Sequence, residues 1–167
     1  MNALVQYRTL ARVKSLREQK ALEALQKARR EELEGERKVE RLTEQLAESA
    51  RTLPDRIHAL FQEIIGTPVA LDDIDDVKYR ATLLEEEHQK IADRKARAEH
   101  TLLSLRERTR AALAAYKAAQ IDREKYDDLI RDLKVEMLAA ATAAEEVEVE
   151  DLFSRPRMMS GRKEATQ

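Results

Sequence analysis

The stretch from Val77 to Val147, VKYRATLLEEEHQKIADRKARAEHTLLSLRERTRAALAAYKAAQIDREKYDDLIRDLKVEMLAAATAAEEV, decides the fold of this chain. Alternating steps of four and three residues from Val77 land on Val77, Ala81, Leu84, His88, Ile91, Lys95, Ala98, Leu102, Leu105, Thr109, Ala112, Tyr116, Ala119, Arg123, Tyr126, Ile130, Leu133, Met137, Ala140, Ala144 and Val147. Only His88, Lys95, Thr109 and Arg123 interrupt this apolar line, and no Pro or Gly lies inside it. A period of 3.5 residues held over about ten heptads marks a long helix packed on another helix along one narrow seam. A strand would need a period of two, and a globular amphipathic helix would carry a wider stripe over a shorter length.

Upstream, the same stride recurs through Leu4, Tyr7, Ala11, Lys14, Glu18, Ala21, Leu25, Ala28, Glu32, Gly35, Val39, Leu42, Leu46, Ser49 and Leu53. Leu10, Val13 and Leu16 fall beside it; either the seam shifts locally to use them, or they form a second face that awaits a partner, or they are scattered surface apolar residues of the ordinary kind. Pro54 follows, and the step from Leu53 to Ile57 is four where three was due, a stutter that locally unwinds a supercoil. Pro54 also removes a backbone donor, so a bend in the first helix is expected there. The break comes at Ile65-Gly66-Thr67-Pro68-Val69-Ala70-Leu71-Asp72-Asp73. Gly66 can end a helix in the left-handed conformation, and Pro68 prevents its resumption. Asp72 or Asp73 can cap a new helix, with Asp75 and Asp76 opposing its dipole in the first turn.

So short a connection returns the second helix antiparallel to the first. The expected fold is all-α, a long two-helix antiparallel coiled-coil hairpin over residues 1–150. Helix one covers about 3–65, the bend 66–73 and helix two about 74–148. The register places Leu4 level with Leu133, so Ala139 to Val147 project past the N-terminus. Residues 151–167 have turn formers, charges and no periodicity, and are expected to be a disordered tail.

Composition agrees with this design. Charged residues make up 38% and aromatics 4% of the 167 residues, and three Gly and three Pro allow very few turns. A net charge of −2 gives no overall field for nucleic acid or an anionic membrane. The absence of cysteine excludes disulfides and thiolate metal sites and fits a reducing, cytoplasmic setting. No apolar run approaches the roughly 18 residues of a membrane span, and the first residues lack a secretion signal.

Catalytic chemistry is hard to build from these residues. There is no Gly-rich phosphate loop, and His58, His88 and His100 are too far apart to chelate a metal. His88 lies on the seam, where a polar group more often fixes register than binds a ligand. On a solvated coiled coil nothing would desolvate the acid pairs or tune them for catalysis, and two helices offer no substrate pocket. No enzyme activity and no cofactor are expected.

Two charged regions remain. Arg8, Arg12, Lys14, Arg17, Lys20, Lys27, Arg29 and Arg30 form a basic arm opposed only by Glu18 and Glu23. It can face Asp127, Asp128, Asp132 and Glu136 of helix two or guide an acidic protein partner. The tip carries Asp72, Asp73, Asp75 and Asp76, which helix capping explains without a metal. A long hairpin tipped with carboxylates is also similar to transcript-cleavage factors that reach into RNA polymerase. A nucleic-acid or polymerase-associated hairpin is therefore the alternative reading, and a homodimeric structural coiled coil a third.

The opening Tyr7-Arg8-Thr9-Leu10-Ala11-Arg12-Val13-Lys14-Ser15-Leu16-Arg17-Glu18-Gln19-Lys20-Ala21 resembles the start of the YscO/HrpO stalk proteins of type III secretion systems, relatives of flagellar FliJ. Leu60-Phe61-Gln62-Glu63-Ile64-Ile65-Gly66-Thr67-Pro68-Val69 resembles that family's bend, and the acidic Glu145 to Asp151 with Leu152-Phe153 its C-terminal region. Pro54 and the basic last residues have no counterpart in the resemblance. The resemblance implies a non-enzymatic, cytoplasmic stalk at the base of the secretion apparatus, similar to the rotor shaft of F- and V-type ATPases. Such a stalk binds and stimulates the hexameric secretion ATPase, links it to the cytoplasmic ring of the export gate, and handles export chaperones. No nucleic acid and no membrane insertion are implied. On this expectation Arg8, Leu10, Arg12, Val13, Leu16, Arg17 and Lys20, with the paired C-terminal end, contact the ATPase, and Phe61, Val69 and Leu71 face the export gate; the reversed polarity is the alternative.

Overall fold

The computed structural model describes residues 3–154. It is all-α and holds two helices, α1 (Ala3–Gln62) and α2 (Leu71–Ser154). α1 continues through Pro54 without a break in its helical assignment. It ends three residues before the expected limit, because residues 63–66 leave the helix as a turn in which the Ile64 N–H donates to the Phe61 carbonyl at 3.3 Å. Gly66 then takes φ +83°, the left-handed conformation expected of it.

α2 begins at Leu71 rather than near residue 74, and its cap differs from the expected one. The Ala70 N–H donates to Asp73 Oδ2 at 2.9 Å, and the Asp73 N–H donates to the Ala70 carbonyl at 3.2 Å. Ala70 therefore stands at the N-cap, and Asp73 sits three residues on, where its carboxylate reaches back as in one half of a capping box. At its other end α2 runs to Ser154, whose Oγ donates to the Glu150 carbonyl at 2.7 Å. Asp151 to Ser154 are thus helical, a correction to the tail expected from residue 151. The remainder of that expectation, 155–167, lies outside the described residues.

The described residues fall in two compact units: residues 3–16 with 120–154, and residues 17–119. In the larger, 17–119 unit the two helices are antiparallel. Ser49 meets His88, Glu36 meets Arg106, and Glu63 near the end of α1 meets Arg80 near the start of α2. The buried apolar side chains all lie in this unit: Leu25, Leu42, Val77, Ala81, Ala98 and Leu102. Each belongs to the four-three stride. Gly35 lets the helices approach closely here, since a Cβ on it would stand 2.8 Å from Leu105 Cδ1 and 3.4 Å from Leu102 Cδ1.

In the smaller unit, α1 and α2 are again antiparallel, with Lys14 against Asp122 at 2.8 Å and its ammonium 5.4 Å from the Tyr126 ring centre. No described residue of this unit is fully buried. Leu4, Tyr7, Ala11 and Lys14 are half-buried with Arg123, Tyr126, Ile130 and Leu133, and from residue 134 to 154 every residue is exposed. α1 is described from Ala3, and no described residue of it lies alongside 134–154, at the register the stride predicts.

Candidate protein-interaction surfaces

The polar residues on the seam are engaged in structure. Ser49 Oγ and His88 Nδ1 share a hydrogen bond of 2.9 Å across the two helices. Lys95 pairs with Glu99 at 3.1 Å, the Thr109 hydroxyl donates to the Leu105 carbonyl at 3.2 Å, and Arg123 donates to Asp127 at 2.6 Å. Glu32 lies 3.8 Å from Arg106. Among the described residues no buried polar side-chain atom lacks a partner. Ion pairs along one helix hold other charges, as with Arg51 and Glu48 at 2.6 Å. Their hydrogen bond holds the Glu48 carboxyl below its usual pKa and raises that of Arg51.

The acidic tip does not assemble into a metal site. Asp73 is used in the cap, Asp75 lies 3.7 Å from Lys78, and among the described residues no group of three or more His, Cys, Asp or Glu could hold a metal ion. Concave surface in the larger unit consists of open grooves between the helices, such as one of about 520 Å³ beside Gly35 and Leu105.

All the sequence-derived contact residues except Phe61 stand on exposed surface. In the smaller unit Arg8, Leu10, Arg12, Val13 and Leu16 are all exposed, Leu16 at 53%. The seam therefore does not shift to take in Leu10, Val13 and Leu16, which stay on the outside of α1. At about 100° per residue, Val5, Arg12 and Leu16 fall within roughly 40° of each other, turned away from the seam. Arg17 and Lys20, in the larger unit, are also exposed. Near the bend, Phe61 is half-buried, Val69 is exposed and Leu71 is 75% exposed. The expected pairing of the arm with Asp127 and Asp128 takes another form: those two carboxylates bind Arg123 and Arg131 of their own helix, and Lys14 takes Asp122.

A further surface lies at the C-terminal end, where no individual contact residue was expected. The overhang 134–154 displays Val135, Met137, Leu138, Val147, Val149, Leu152 and Phe153, the last at 87% exposure. Its signal was present in the stride itself, which continues through Met137, Ala140, Ala144 and Val147 beyond the level of Leu4.

Long paired helices, with many apolar side chains left facing outward, define the class of all-α helical hairpins. The family is shown by comparison: the model of the type III secretion protein YscO matches residues 7–155, and the chain belongs to that family. No curated protein and no solved structure matches it. No helix among the described residues is long and apolar enough to cross a membrane.

Proposed function

We propose that this protein is a non-enzymatic stalk of a type III secretion apparatus, which binds and stimulates the secretion ATPase and links it to the export gate. The observation that carries this reading is membership of the YscO family over residues 7–155. The surfaces favour it: an outward apolar face flanked by arginines on α1, and exposed Val69 and Leu71 near the bend. It works at the cytoplasmic base of the apparatus, with export chaperones as further partners.

The proposed action is thermodynamic. A stalk whose sides differ presents unlike residues to chemically identical subunits around it. Contacts that favour one nucleotide state shift nucleotide affinity by their difference between states. The arginines steer association, and Val13 and Leu16 supply the desolvated contact that holds it.

The test is ATP hydrolysis by the hexameric secretion ATPase of the same system, titrated with this protein. Hydrolysis is expected to rise. Leu16→Asp or Arg12→Glu should raise the concentration needed for half the effect by about tenfold or more, the scale of losing a central interface contact. Hydrolysis indifferent to the wild-type protein would overturn the reading. Both positions are exposed, so the hairpin is expected to fold in either variant.

A further inference from the structure

We propose that the overhang of α2 docks on the N-terminal arm of α1 in a second copy of this chain, giving a reciprocal dimer. The first observation is an unfinished seam. Met137, Ala140, Ala144 and Val147 continue the stride that packs α2 against α1, yet every one is exposed. The second is charge. The overhang 134–154 contains Glu136, Glu145, Glu146, Glu148, Glu150 and Asp151 against the single Lys134, whereas residues 3–16 contain Arg8, Arg12 and Lys14 and no acid.

The C-terminal end of α2 also carries the sign its own dipole disfavours. α2 has acids but no basic residue in its closing turns, where carbonyls point outward. Glu146 and Glu150 stand four apart, and Glu145, Glu148 and Asp151 stand three apart in turn, so like charges neighbour each other along the helix. α1 has no acid in its first turn, and its first charges are Arg8 and Arg12. The two segments cannot answer each other within one copy, because α2 leaves the level of the arm at Leu133. A second copy turned end for end can lay its overhang along Val5, Arg12 and Leu16, with its acids beside the arginines.

The lengths suit this arrangement. The overhang spans about 30 Å and the arm about 20 Å at 1.5 Å per residue. One helix laid on the other buries roughly 600 Å² in total, short of a stable interface, and two symmetric contacts reach about 1,200 Å², the lower end of the standard range. A reciprocal dimer that dissociates readily is therefore expected, and an open chain of single contacts is not. The dimer does not depend on the secretion reading. Only its consequence does: it would cover Arg12 and Leu16 and hold the protein away from the ATPase until it dissociates.

Sedimentation equilibrium of the full chain, at rising concentration in low and high salt, tests the pairing. A monomer–dimer equilibrium is expected, weakened about tenfold or more by high salt. Glu145→Lys with Glu148→Lys, or Arg8→Glu with Arg12→Glu, should each weaken self-association about tenfold or more. An equal mixture of the two variants should restore a heterodimer, because both of its contacts again join opposite charges. Circular dichroism checks that each variant keeps its helix. A monomer at every concentration in low salt would overturn the proposal and leave the overhang to a different basic partner. So would a dimer indifferent to the reversals, or a mixture that fails to pair. Hydrolysis by the ATPase is read separately, so failure of the dimer and failure of the stalk reading are told apart.

Discussion

Single side chains set how closely the helices approach and in which register. Gly35 is held by space rather than by backbone conformation, since the nearest obstacle to a Cβ is the far end of Leu105, which is only half-buried and can turn aside. Alanine also gains about 1 kcal/mol of helix propensity over glycine. Gly35→Ala is therefore expected to stay within about 1 kcal/mol of wild type in urea unfolding, while Gly35→Val should lose about 1–3 kcal/mol through overpacking. Equal stabilities for the two would contradict the close approach. Ser49 and His88 bond across the seam, and a double-mutant cycle with Ser49→Ala and His88→Ala should return a coupling of about 0.5–1.5 kcal/mol. Glu48 supplies a contrast. Its lowered pKa means its contribution is present above the unfolded carboxyl pKa and fades as pH falls through the folded one. The pair lies on open surface, so Glu48→Gln should leave the melting temperature at neutral pH nearly unchanged.

At the scale of the helices, stability is unevenly spread. Leu25 is 2% exposed in the larger unit, and Leu25→Ala should cost about 2–5 kcal/mol, whereas Leu138→Ala on the overhang should cost almost nothing. Gly66 has open space around it, so Gly66→Ala meets no clash and loses only through its left-handed backbone, by roughly 1 kcal/mol. At a dilution where the chain is monomeric, hydrogen exchange should be fast throughout 134–154, because a lone helix of about 20 residues is marginal in water even when rich in alanine, and slow around Leu25, Leu42 and Leu102. Equal protection in both places at that dilution would contradict the exposure of the overhang within one copy. Much of this was legible beforehand, since the stride from Leu4 to Leu133 names positions that are all withdrawn from solvent, interrupting charges included. The cap was less so. Asp72 and Asp73 both look like cap residues, and only the backbone at Ala70 shows that Asp73 works from the third position. The end of α2 was misjudged because the expected break rested on turn formers that begin only at Ser154 and Pro156, while Asp151 to Phe153 carry no signal against a helix.

For the whole molecule, sequence and structure specify the surface more fully than its occupants. Periodicity sorts side chains into seam and outside. It does not distinguish an outward leucine that binds a partner from one that merely meets water, which is why Leu10, Val13 and Leu16 needed coordinates to be placed. Family membership supplies the setting in which such a face has work to do. The central claim is that the arm around Leu16 meets the secretion ATPase while the bend around Val69 meets the export gate. Photo-crosslinking states this most directly, with a photoreactive residue placed singly at Leu16 or at Val69 in an assembled, secreting apparatus. The account predicts that Leu16 captures the ATPase and Val69 the export-gate ring. The opposite assignment, or capture of neither while secretion continues, would contradict it.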